Sequence, residues 1–206
     1  MPAIYDYLIL LLAPQPTPHV ALAEALQSAG PGLAKGGGSI VGQFAPQLGW
    51  SSNEAAVLVR WTDEPADLAA VESARTAIEK TKIVVGAEVR RLRSTVRPAD
   101  GDALRPGGIY VHRWFVVEPG SVDEFVALSS EGWKHFEAQF DAAIFGLFCE
   151  EVPPGDVARL LLLTYYADHG VWEASRDPTS EAMQVFARRQ RLTRRSWAAS
   201  TRLVGA

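Results

Sequence analysis

Three residues of the run IYVHRWFVV stand two apart, Tyr110, His112 and Trp114, so an extended chain places them on one face. Tyr165 and Tyr166 close a second apolar run, LLLTYY, and His169 and Trp172 follow within six residues. Histidine titrates near neutrality and suits general acid–base work. A tyrosine hydroxyl can donate to a developing enolate oxygen, and a tryptophan can stack on an aromatic ligand. His112, Tyr165, Tyr166 and His169 are therefore the candidate catalytic residues, and Tyr110, Trp114, Trp133 and Trp172 the candidate binding residues. The bland alternative is that the aromatic set on the first strand fills a core, and that His169 is a solvated loop residue.

Other chemistries find less support. The four histidines are scattered, with no His-x-His and no His-Glu-x-x-His, so no metal site is expected. A single axial histidine for haem would leave no spacing signal, which keeps haem open as a cofactor while none is predicted. Cys149 lies in the apolar run FGLFCEEV without an adjacent base, as an inert thiol would. Glycines 36–38 lack the lysine and serine of a phosphate loop and read as a turn. His135 reads as a surface residue, and His19 as an early helical residue to which the sequence assigns no partner. Two arginine clusters, at 90–97 and 188–195, read as solvated faces, some members pairing with Asp63, Asp168 or Glu173.

The elements that position these residues recur. YDYLILLLAP at 5–14 faces YVHRWFVVEP at 110–119, an offset of 105. Ile40, Gly42 and Phe44 correspond to Ile144, Gly146 and Phe148 at 104, and Asp63 to Asp168 at 105. On this alignment Tyr5, Tyr7 and Ile9 are the counterparts of Tyr110, His112 and Trp114. Three matches in one order indicate a duplicated unit. Strands are expected at 3–12, 38–48, 55–62 and 83–96, then at 108–117, 142–152, 157–167 and 197–204. In the first unit a helix starts at Thr17-Pro18 and ends near Gly30-Pro31. A second helix spans 65–80. In the second unit Ser121 and Glu124 form a capping box ahead of the stripe Val122, Phe125, Val126, Trp133, Phe136 and Phe140. Asp177 and Pro178 open a helix over 178–194.

The order βαββαβ, twice, defines an α+β fold of tandem ferredoxin-like units at 1–97 and 108–206, joined by a linker at 98–107. Helices cover one face of each sheet, and packing the two sheets face to face would bury the other, giving a fused, pseudo-dimeric α/β barrel.

Composition sets the outer limits. The chain has 206 residues, 48% hydrophobic and 21% charged, with a formal net charge of −4. That is ordinary globular composition without the basic excess of a nucleic-acid binder. One cysteine excludes an intrachain disulfide and fits a reducing cytoplasm. The apolar run 8–13 lacks preceding basic residues and is too short to span a bilayer, so neither a signal nor a membrane anchor is expected.

The second half resembles a NIPSNAP-type domain of the dimeric α/β-barrel superfamily. The segments that carry the resemblance are IYVHRWFVVEPGSVDEFVAL at 109–128, AIFGLFCEEV at 143–152, LLLTYYAD at 161–168 and FARRQRLTRRSWAASTRLV at 186–204. The first half matches mainly in element order. By resemblance, the relatives include cofactor-independent monooxygenases and cyclases of aromatic polyketide pathways, muconolactone isomerases and haem-binding enzymes. The implied function is acid–base chemistry on an apolar or aromatic small molecule in a cavity of the second half. A non-catalytic binding protein is the alternative, and the working form is a monomeric pseudo-dimer or a homodimer.

Overall fold

A computed structural model describes residues 3–62, 76, 78, 82–151 and 155–205. The chain divides into two compact units: residues up to Arg93 together with those from Thr201 onward, and Ser94–Ser200.

In the first unit β1 (Ile4–Leu12), α1 (Pro18–Lys35), β2 (Gly38–Leu48), β3 (Glu54–Trp61) and β4 (Val84–Ser94) appear in that order. The sheet runs β4-β1-β3-β2. Ile4, Leu8, Leu10 and Leu12 alternate onto the helix side and pack with Leu22, Leu26 and Leu33 of α1. The expected end of α1 at Gly30-Pro31 is corrected: the helix continues through Pro31 to Lys35. Proline in a helix interior forfeits a backbone bond. The additional turn is anchored by Leu33, buried in the core, and is closed by Gly36 N–H on the Leu33 carbonyl at 2.9 Å. The helix expected over 65–80 and the residue Asp63 lie outside the described residues, except that Thr76 and Ile78 are helical.

In the second unit come β5 (Ile109–Val117), a 3-10 turn (Pro119–Ser121), α2 (Val122–Gln139), β6 (Ala142–Glu150), β7 (Ala158–Tyr166), α3 (His169–Ala174), α4 (Glu181–Gln190) and β8 (Thr193–Gly205), the last of which passes into the first unit at Thr201. The sheet runs β8-β5-β7-β6, the same order as in the first unit. Phe115, Phe125, Trp133, Phe136 and Leu160 form the core between sheet and helices.

Two helix starts differ from expectation. The Ser121–Glu124 capping box does not form: Ser121 makes no side-chain cap, because Pro119–Ser121 is already wound into a 3-10 turn with Ser121 N–H on the Glu118 carbonyl. Asp123 and Glu124 still meet the positive helix end. The helix expected over 178–194 begins instead at Glu181 with Ser180 as its cap. Asp177 spends its carboxylate on the Thr179 amide and hydroxyl at 2.9 and 2.7 Å, which fixes a turn rather than a helix start. The chain after α4 is extended from Thr193, four residues earlier than expected.

The duplication is visible in the hydrogen-bond register. Ile4 pairs with Trp61 and Tyr5 with Arg60; 105 residues on, Ile109 pairs with Tyr166 and Tyr110 with Tyr165. The second and third strands of each unit carry a register shift at the same place, between Ile40 and Gly42 and between Ile144 and Gly146. A bulge of this kind sets local twist and is hard to place twice by chance.

Candidate functional site

β5 and β7 deliver the candidate residues to opposite faces of one sheet. Tyr110, His112 and Trp114 point away from the helices, and Tyr165, directly across from Tyr110, shares that face. Tyr166, one residue on, must point to the helix side.

A cavity of about 490 Å³ opens where the 96–105 segment crosses the strand ends. Tyr110, Tyr165, Ala143 and Phe145 line its sheet side, and Arg97, Arg105 and Glu137 bring charge to its wall. The two tyrosine rings meet edge to face, 5.6 Å apart at 67°. The Tyr110 hydroxyl donates to the Arg105 carbonyl at 2.9 Å. Burial pushes that hydroxyl's pKa far up, only partly offset by this backbone bond, so it stays a neutral donor already in use. The Arg105 guanidinium lies over the Tyr165 ring at 4.4 Å. The Tyr165 hydroxyl has no hydrogen-bond partner among the described residues and is the group left for a ligand. Glu137 accepts through Oε1 from Arg97 and from the Ile144 amide, each at 2.7 Å.

Gly108 holds this corner. Its φ of +56° is left-handed, and a β-carbon there would run into the Tyr166 carbonyl and lie 2.6 Å from the Tyr165 ring. Gly108→Ala is expected to destabilise the protein by about 2–3 kcal/mol. A melting temperature equal to that of the parent would show that the corner tolerates a side chain.

The remaining candidates are dispersed. His112 is fully buried and lines neither this cavity nor the helix-side pocket described next. Burial lowers its pKa to about 3, so it is neutral at pH 7 and a weak base. Trp114 stacks on Trp197 at 6.2 Å. His169 opens α3 rather than a loop, with Nε2 3.2 Å from the Ser200 hydroxyl, and Asp168 caps that helix through the Val171 amide at 2.8 Å. Trp133 and Trp172 pack with the helix-side core, beneath Arg97 and Arg176 respectively. Burial and the neighbouring Glu150 and Glu151 push the Cys149 thiol up, consistent with an unreactive sulfur.

On the helix side Tyr166 sits against Phe136, centroids 5.8 Å apart, at a small pocket of about 40 Å³. Arg113, Arg176 and Arg189 also line it. The reading of the 188–195 arginines as a solvated face is corrected for Arg189, which is only 8% exposed. Arg188 and Arg194 do lie at the surface, paired with Glu131 and Glu118. Arg189 occupies the buried stripe of α4 with Ala182 and Val185, a spacing that could have exposed it in the sequence.

The first unit has a groove of about 340 Å³ beside α1, lined by residues such as Leu26, Gln27, Ile40 and Gln43, with no ionisable side chain. Among the described residues there is no cluster of metal-binding side chains, and no helix is long and apolar enough to cross a membrane.

No protein-family profile matches the sequence, and no curated protein matches it. Solved structures do. A proposed monooxygenase from Lactobacillus acidophilus superposes with a TM-score of 0.61 at 10% identity, covering 98% of this chain and 94% of that one. An anthrone oxidase-like protein gives 0.59 at 12%, covering 98% and 92%. A haem-binding protein from Thermus thermophilus gives 0.53 at 10%, covering 100% and 92%. The fold is that of the dimeric α/β barrels, with both ferredoxin-like halves in one chain. At such identities the likeness extends to the fold alone.

Proposed function

We propose that the second unit binds an apolar or aromatic small molecule in the 490 Å³ cavity and acts on it by oxygenation, cyclisation or isomerisation without a nucleotide cofactor. The observation that carries this reading is the Tyr165 hydroxyl, without a hydrogen-bond partner among the described residues, at the wall of a cavity of ligand size. A phenol there can donate to the oxygen of an enolate or phenolate, beside Arg97 and Arg105, which are themselves paired with Glu137 and Asp141. The oxygenase-like neighbours support the oxygenation branch. A NIPSNAP-type kinship of the second unit, a cytoplasmic location and a working form of one chain or a homodimer belong to the same reading.

The test is anthrone in aerated buffer, where oxidation to anthraquinone consumes one O₂ and releases one water. Oxygen uptake above the uncatalysed rate, reduced about tenfold or more in Tyr165→Phe, is expected. No uptake, together with no retained organic mass in native mass spectrometry, would remove the reading.

A non-catalytic binding role is the second reading, and it is favoured by the absence of any histidine from the walls of the two second-unit cavities. A ligand recovered chemically unchanged would select it. Haem fits less well. His112 is sealed, His135 is paired with Glu181 at 2.8 Å, and His169 with Ser200, so none of them reaches either cavity as an axial ligand.

A further inference from the structure

The helix-side pocket of the second unit brings together three guanidinium groups from three elements: Arg113 on β5, Arg176 after α3 and Arg189 on α4. None of the three forms an ion pair with a described carboxylate. Arg189 is 8% exposed and has one hydrogen bond, to the Ser129 hydroxyl at 3.3 Å; its charge otherwise lies over the rings of Phe115, Phe125 and Phe186. Arg176 Nε is buried without a hydrogen-bond partner among the described residues, as is Nε1 of the adjacent Trp172. Buried charge without a counterion is costly, and native proteins almost always pair it. Burial and mutual repulsion accordingly lower Arg189 to about 9 and Arg113 to about 10.

The first unit shows that the fold does not require this arrangement. At the register positions matching Arg113, Thr164 and Tyr166 it carries Leu8, Val59 and Trp61, all in its hydrophobic core. Among the described residues Asp6 is buried on that side, and Arg91 answers it at 2.6 Å. The second unit carries cations and hydroxyls where the first packs apolar side chains, and no described carboxylate is ion-paired with them.

We propose that this pocket binds an oxyanion of carboxylate size, held by Arg113, Arg176 and Arg189 with the Tyr166 and Thr164 hydroxyls beside it. Planar guanidinium forks match a carboxylate in two-point contact. The pocket's volume suits a head group, and Phe136, Phe186 and Leu162 at its wall suit an aromatic or apolar body attached to it. The site lies on the opposite face of the sheet from the Tyr165 cavity, and it stands whether or not that cavity is catalytic.

The test uses the full chain and three probes, 4-fluorobenzoate followed by fluorine NMR line broadening, inorganic phosphate and nitrate, at matched ionic strength. Saturable binding of at least one probe is expected. Its dissociation constant should rise tenfold or more in Arg113→Met and in Arg176→Met, with far-UV circular dichroism unchanged. Arg188→Gln, on the exposed side of α4, should bind as the parent does. Benzoate binding identifies an organic carboxylate, and phosphate or nitrate binding alone identifies a free inorganic oxyanion. No binding by any probe to the parent protein, or binding unaltered in both variants, overturns the proposal.

Discussion

Acidification from pH 7 to pH 4 is expected to strip about 3 kcal/mol of stability from the parent protein that a His112→Leu variant does not lose. The imidazole is neutral in the folded state because burial lowers its pKa from 6.5 to about 3. The unfolded chain takes up a proton near pH 6.5. Between those values the unfolded state binds more protons than the folded one, so stability rises with pH and falls as acid is added. The contribution is fully present above pH 6.5 and exhausted near pH 3, where its total reaches on the order of 4–5 kcal/mol. Urea unfolding of both proteins at pH 7, 5.5 and 4 isolates the effect from the carboxylates they share. Parallel pH dependence would mean that His112 ionises in place within the folded protein.

Asp6→Ala is expected to cost about 3 kcal/mol, at the low end for a broken buried pair because Arg91 retains some solvent. The carboxylate is 1% exposed and takes three donors: Arg91 Nε at 2.6 Å, Arg91 Nη2 at 3.2 Å and the Trp61 indole at 3.1 Å. Its removal strands a guanidinium and an indole N–H in the first unit's core. Adding Arg91→Met should restore part of the loss, since the orphaned charge goes with it. Urea midpoints of the two single variants and the double variant decide the matter. Strictly additive losses would show that the groups do not communicate.

The duplicated architecture was legible because it rests on spacing. Ile40, Gly42 and Phe44 recur as Ile144, Gly146 and Phe148, and the shared offset carried even the bulge between the isoleucine and the glycine. Helix ends were less legible because local signals compete with packing. Pro31 signals termination, yet Leu33 buries beyond it; Asp177 is a strong cap in isolation, yet Thr179 claims its oxygens. The site was legible only in part. The meeting of Tyr110 and Tyr165 at one cavity wall was foreseeable, since pairing across β5 and β7 follows from strand order. Arg113 was overlooked between more familiar chemistries at His112 and Trp114, although a cation on the same strand face as Val111, Phe115 and Val117 breaks an apolar alternation. The burial of Arg189 was hidden by its membership of a run of arginines, most of which are solvated.

Carrying both halves on one polypeptide changes what heredity can do with them. In an assembly of two identical chains every substitution arrives twice, so a cation introduced for one pocket must also be tolerated in the other. Here a codon change at position 113 leaves position 8 untouched. Leucine and arginine have been able to settle at matching places in the two sheets. One half can specialise in holding the scaffold together while the other departs from apolar packing, and selection can act on each separately.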